Sequence, residues 1–453
     1  MKPEIQAASN TVTGRSPGRR GGPPIAYVGA RLIDPASGLD MPGGLVVADG
    51  AIADLGPHLL RAEALGSSGI EAVPCAGAVL APGLVDMRVQ LREPGEEHKE
   101  SFASAAAAAA AGGVTSMVTL PNTQPVIDDP SLVESVARRA RETSRVKIYA
   151  YAAVTRGLAG KEITEFGLLR EAGALGFTDG VAAVASATVM RRALAYARLV
   201  GGVLIQHPEE PSLMRNASAT EGEIATRLGL PAGPSLAEVM MIERDLRLVE
   251  MTRAPLHIAH VSTAAAVEAI RRAKVAGLPV TCDTAPFYFA LNELAVGDYR
   301  TFSKLSPPLR AESDRGAIAA AVADGTIDVV ASDHAPHDQD SKRLPYAQAA
   351  AGAIGLETLL GVTLELVHGG RMTLPAALAR LTATPAGILG LAAGRLAKGA
   401  AADLLILDPD RAWRVREAEF RSKSKNSPFD GRPLQGRVLR TLVNGETIFR
   451  RED

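Results

Sequence analysis

Between residues 84 and 333 one alternation recurs eight times: a short apolar run, then a longer stretch with helical spacing. The strand candidates are Leu84–Gln90, Val114–Thr119, Val146–Ala153, Ala174–Phe177, Val203–His207, Leu256–His260, Val280–Asp283 and Ile327–Asp333. Short apolar runs bounded by turn residues read as buried strands. Eight strands, each followed by a helix, predict an α/β chain folded as a (β/α)8 TIM-like barrel. The helical stretches fit. Glu100–Ala111 contains seven consecutive alanines, Ala105–Ala111, and stops at Gly112-Gly113. Alanine is the strongest helix former, and such a run suits a tightly packed barrel helix. Ser131–Glu142 places Leu132, Val133, Val136 and Ala140 on one face, opposite Arg138, Arg139 and Arg141,.

The flanks differ in texture. Residues 25–80 carry short strand runs, Ile25–Ile33, Leu45–Ala48 and Ala51–Leu55, separated by turns at Asp34-Pro35 and Asp49-Gly50,. Ala402–Pro409 and Arg440–Glu446 read the same way. Residues 25–80 and 392–453 are therefore expected to build one composite β domain beside a barrel spanning 81–391. Residues 1–24, rich in Ser, Gly, Pro and Arg, are expected to be a disordered extension,.

Composition narrows the partners. A net charge of -1 gives no overall field for nucleic acid or an anionic membrane,. No apolar run reaches membrane-spanning length, and no signal-peptide core opens the chain,. Two cysteines, Cys75 and Cys282, make no disulfide framework and point to a reducing compartment,. The expectation is a cytoplasmic homo-oligomer that meets neither nucleic acid nor membrane.

Barrel enzymes build their sites at the carboxyl ends of the strands. Polar residues collect there: Arg88, Gln90 and Arg92 after strand one, Asn122 after strand two, Asp179-Gly180 after strand four. His207, His260 and Asp333 end strands five, six and eight. Imidazole and carboxylate suit zinc, and these three are expected to face one another across the mouth.

Longer landmarks carry a resemblance. Pro82–Asp86, Leu91–Gly95, Pro121–Thr123, His257–Thr263, Ser306–Arg310, Asp324–Asp328, Ser332–His337 and Ser422–Phe429 together resemble class I dihydroorotases of the amidohydrolase superfamily, over nearly all of residues 25–450. The resemblance implies that Arg92 and Asn122, helped by His337, hold the substrate's carboxylate, a task guanidinium performs bidentately. It implies Asp333 as general acid/base, His207 and His260 as metal ligands, and dihydroorotate or carbamoyl-aspartate as the small-molecule partner.

The chain also departs from that family. Arg88 and Gln90 stand where its first two metal-binding histidines stand, and Gly180 falls at the bridging carboxylate, with Asp179 one residue away. Phe287-Tyr288 replaces a His pair, and Ser306 replaces a substrate-contacting Asn. An arginine cannot lose its proton to ligate a metal. Arg88 is expected to stand in as the local cation, paired with Asp333 or Asp179, the alternative being a side chain turned out to solvent. One zinc at most is expected, held by His207, His260 and Asp333, or none. Two functions remain open. One is a non-hydrolytic, dihydroorotase-like partner or regulatory subunit, with aspartate carbamoyltransferase as the implied partner. The other is an active, one-zinc dihydroorotase. Hydantoinases and allantoinases share the fold, but the short Leu91–Gly95 loop with Arg92 argues for dihydroorotate. A mobile lid is a further expectation, over residues 337–345.

Overall fold

The computed structural model describes residues 23–65 and 69–452. All but the last two residues of the expected N-terminal extension lie outside them. Eight parallel strands occupy the eight expected places, and they pair as two ribbons. Leu84–Val89, Val114–Thr119 and Lys147–Ala150 form one. Gly176–Phe177, Val203–Gln206, Leu256–Ile258, Val280–Thr284 and Val329–Val330 form the other. Single parallel bridges, Ala152 to Phe177 and Val89 to His334, join the ribbons and close the barrel. Several strands are shorter than their apolar runs suggest. The last residues of those runs leave the ladder and turn into the mouth. Inside, Val85, Met87, Val118, Leu120, Tyr151 and Ile205 fill the barrel with side chains, so it is a core and not a channel,.

The alanine-rich run forms the helix Phe102–Ala111. It starts two residues later than expected, because Ser101 takes the N-cap and exchanges hydrogen bonds with Ser104 in a capping box,. Small side chains are required here. A Cβ on Gly112 would lie 2.1 Å from the Leu356 carbonyl oxygen, so the end of this helix is pressed against the backbone of another segment.

Both chain ends share one eight-stranded sheet. Its path runs from Glu446–Arg450 through Pro433–Val443, Leu404–Arg414, Val79–Pro82, Ile25–Asp34 and Leu39–Ala48 to Ala51–Gly56, with Glu71–Pro74 beside Ile25–Asp34. Tyr27, Leu32, Leu45, Ile52, Leu80 and Leu404 give it a core of its own. Only Gly83 separates Val79–Pro82 from the first barrel strand. The sheet therefore anchors the strand that delivers Arg88 to the mouth. Among the described residues, no helix is long and apolar enough to cross a membrane.

Candidate active site at the barrel mouth

Three mouth residues sit in left-handed backbone: Arg92 at φ 63°, His260 at φ 37° and Asp333 at φ 46°. That region is uncommon for residues with a Cβ and costs on the order of 1–3 kcal/mol each. Each lies just past the end of its strand, where the twist re-aims the side chain from the barrel wall into the opening. A cavity of about 270 Å³ results, lined by Arg88, Gln90, Arg92, Asn122, Asp333 and His337 among others.

Arg88 is the largest fully buried side chain of the described residues, only 2% exposed. Its Nε donates to Asp333 Oδ1 at 2.8 Å and its Nη2 to the Gly180 carbonyl at 3.1 Å. The expected cation is thus in place, and its partner is Asp333. Asp179 is held elsewhere: its carboxylate accepts from the Thr155 amide at 2.8 Å and the Thr155 hydroxyl at 2.5 Å. Burial alone would raise the Asp333 carboxyl, but the Arg88 guanidinium and the His260 ring outweigh it and hold it well below the usual carboxylate range,. Arg88 Nη1 is buried with no protein partner.

From Asp333 a chain of contacts crosses the mouth. Asp333 Oδ2 meets His260 Nδ1 at 3.2 Å, and His260 Nε2 meets His207 Nδ1 at 2.6 Å. His207 Nε2 then meets Glu209 Oε2 at 3.0 Å, and that oxygen also accepts from the Ser306 hydroxyl at 3.1 Å. Three contacts link two carboxylates through two imidazoles. Two neutral rings carry two protons between them, so at most two of these three contacts are hydrogen bonds at one time,. Burial, then Arg88, lowers the His260 pKa to about 4. Burial alone would raise Glu209, but the His207 ring holds it down to about 2.

Zinc does not fit this arrangement. Two nitrogens bound to one tetrahedral zinc at ~2.05 Å sit about 3.3 Å apart, whereas His207 Nδ1 and His260 Nε2 are at 2.6 Å. Asp333 approaches the other nitrogen of the His260 ring from the one facing His207, so the three groups do not converge on one point. Among the described residues, no group of three or more His, Cys, Asp or Glu is arranged to hold a metal ion. Gly180 offers only its carbonyl, already taken by Arg88.

Arg92, Asn122 and His337 line the same cavity. Arg92 donates through Nε to the Pro336 carbonyl at 3.0 Å and through Nη1 to Glu96 at 3.1 Å, while Nη2 lies 3.2 Å from His337 Nε2. Five N–H groups leave two to spare for a ligand. Asn122 Nδ2 donates to Gln90 Oε1 at 3.1 Å. Gln90, at a ligand position, thus orients Asn122. Burial, then Arg92, pushes the His337 pKa down to about 3, and its Nδ1 is buried without a partner. A neutral ring cannot use Nε2 both to accept from Arg92 and to donate to Ala351, 2.9 Å away. Accepting from Arg92 keeps the charged group paired and leaves the proton on Nδ1.

Sequence reasoning missed two supports. Glu209 ties down His207, and its signal was there, two residues on in His207-Pro208-Glu209. Asp283 accepts from the His260 amide at 2.7 Å and so fixes its left-handed turn.

The chain is similar to known proteins along nearly its whole length. A model of the Dihydro-orotase-like family matches residues 77–266. A protein named dihydroorotase from Wolbachia sp. subsp. Drosophila simulans (strain wRi) is 44% identical over 434 residues, 95% of this chain and 97% of that one. Another from Anaplasma phagocytophilum (strain HZ) is 44% identical over 94% and 96% of the two chains. Among solved structures, L-hydantoinase (dihydropyrimidinase) from Arthrobacter aurescens superposes with a TM-score of 0.84 at 25% identity, covering 95% of this chain and 96% of that one. Identity at that level along nearly the full length of both chains, on a barrel whose mouth keeps the Arg92–Asn122–His337 grouping, places the chain in one family: it belongs to the dihydroorotases.

Proposed function

We propose that this chain serves pyrimidine biosynthesis as a ligand-binding, non-hydrolytic dihydroorotase homologue, a partner or regulatory subunit of aspartate carbamoyltransferase. One observation carries the reading: the buried Arg88 guanidinium lies 2.8 Å from Asp333, at the place where the family's first metal ligand would stand. A hydrolytic metal must polarise a carbonyl and lower the pKa of its water. Arg88 supplies charge but no water, and it occupies Asp333, the group that would move the proton. Arg92 keeps two N–H groups for a carboxylate, with Asn122 and His337 beside it in the same cavity, so dihydroorotate or carbamoyl-aspartate can bind without being converted,.

A second reading, an active dihydroorotase using one zinc, draws support from the names of the 44%-identical relatives. Here Asp333 would be the general acid/base. Metal analysis of the purified chain, run beside dihydroorotate hydrolysis with added zinc, decides between them. The first reading expects well under one zinc per chain and no turnover. Stoichiometric zinc, with turnover abolished by Asp333→Ala, establishes the second. Copurification with aspartate carbamoyltransferase tests the partner.

A further inference from the structure

The barrel has a depression at its other end, where the strands begin. A cavity of about 410 Å³ lies between Gly202, Leu256, Val280 and Thr281 at the strand starts and the helix end around Ile388. Apolar side chains such as Leu256, Val280 and Ile388 share its walls with polar atoms, and its single charged lining group is Arg170. Arg170 Nη1 donates to the Ala174 and Leu175 carbonyls at 2.9 and 3.1 Å. Among the described residues no carboxylate pairs with this guanidinium, and its Nε and Nη2 make no further hydrogen bond. A half-buried cation facing a hollow without a counter-ion is an unusual thing for a purely structural surface to keep.

Thr281, in the cavity wall, also begins a buried polar line to the mouth. Its hydroxyl meets His257 Nδ1 at 2.8 Å, and His257 Nε2 meets Asp283 Oδ2 at 2.9 Å. Asp283 Oδ1 accepts from the His260 amide at 2.7 Å. His257 and Asp283 are 0% and 1% exposed, so water cannot relax this line. We propose that the lower cavity is an effector site for a small organic anion with an apolar body, and that its occupancy reaches His260 through Thr281, His257 and Asp283. The volume falls in the usual range of small-molecule sites, roughly 300–1,000 Å³. Arg170 takes the anionic group, and the Leu256–Val280 wall takes the apolar body. A ligand that claims the Thr281 hydroxyl changes what His257 can exchange with it, and His257 shares the carboxylate that sets the His260 backbone. The inference is independent of whether the mouth hydrolyses its ligand.

The test uses the full-length chain and the dye 8-anilinonaphthalene-1-sulfonate, with neutral N-phenyl-1-naphthylamine as its uncharged counterpart. Expected is one dye per chain, with Arg170→Met weakening the anionic dye about tenfold or more, as loss of a charged hydrogen-bond partner does, and leaving the neutral one unchanged. Ile388→Trp, which fills the hollow, should abolish binding of both. With nitrogen-15-labelled histidines, saturating dye should shift the ring signals of His257 and His260. Thr281→Val should keep binding within about twofold while removing the His260 shift, since it cuts the line without touching the anion's partner. Dye binding that survives Arg170→Met, or that is lost in Arg92→Met instead, overturns the site. A His260 signal unmoved at saturation overturns the coupling. If Ile388→Trp fails to fold, the Arg170→Met comparison of the two dyes decides alone.

Discussion

Replacing Arg88 by Met keeps the length of the side chain and removes its charge. Asp333 would then remain in the mouth, 13% exposed, facing His260 with no cation beside it. With charge centres about 4 Å apart and an effective dielectric of about 20, the lost attraction is about 4 kcal/mol. Removing one partner of a buried pair typically costs about 3–5 kcal/mol, and the two figures agree. Urea unfolding at pH 7 should therefore show Arg88→Met destabilised by roughly that much. Asp333→Asn combined with it should recover most of the loss, because no bare charge remains. The pH dependence has a definite sign. Asp333's folded pKa lies below its unfolded value near 4, so the pair's stabilisation is present above about pH 4 and is lost as pH falls further,. The Arg88→Met penalty should be full at pH 7 and shrink in acid. A penalty under about 1 kcal/mol at pH 7, as an exposed pair such as Arg31–Asp40 would give,, or a double variant no more stable than the single one, would refute the claim that Arg88 holds the place of a cation.

Three other outcomes follow from the same geometry. Arg88→His with Gln90→His should raise zinc affinity at least tenfold by equilibrium dialysis; adding Gly180→Asp should help less than ligand count suggests, because that position has φ +70° and its Cβ would sit 3.4 Å from Asn122,. Burial raises the Asp86 carboxyl to about 7; a raised carboxyl favours the fold at low pH and loses that contribution as pH rises from about 4 to about 7, so Asp86→Asn should flatten the stability profile across that window in urea titrations. Gly112→Ala should destabilise the chain by about 2 kcal/mol or more in thermal or urea unfolding, since its methyl would lie 2.1 Å from the Leu356 oxygen; a neutral variant would mean the helix end is not pressed there,.

The barrel was legible because each strand is buried along nearly its whole length and is mostly apolar, and such runs stand out between glycine and proline turns. Helix limits were legible to a residue or two; the miss at Ser101 arises because a serine serves equally well as cap or first turn,. The mouth was legible as a list of residues, not as an arrangement. Asp179 and Gly180 are adjacent, yet one turns outward to Thr155 and the other offers a carbonyl to Arg88. Nothing in the order of letters says which way a strand end will turn. That direction is fixed by backbone contacts from distant segments, such as Asp283 on the His260 amide, 23 residues on.

Those contacts also explain how the mouth can lose metal ligands and still hold its shape. Three left-handed residues would be expected to relax if nothing held them, since together they cost several kcal/mol on the order-of-magnitude scale for such strain. Each is pinned by charge instead. Arg92 is tied to Glu96, Pro336 and His337; His260 to Asp283 and Asp333; and Asp333 to Arg88. In a metal-dependent relative the ion would repay part of that strain. Here the Arg88 guanidinium does so through Asp333, and a chelator cannot remove it. A chelator-treated sample of this chain should accordingly keep its unfolding midpoint, whereas Arg88→Met should lower it. Loss of stability on chelation would mean that an ion, and not Arg88, holds the three turns in place.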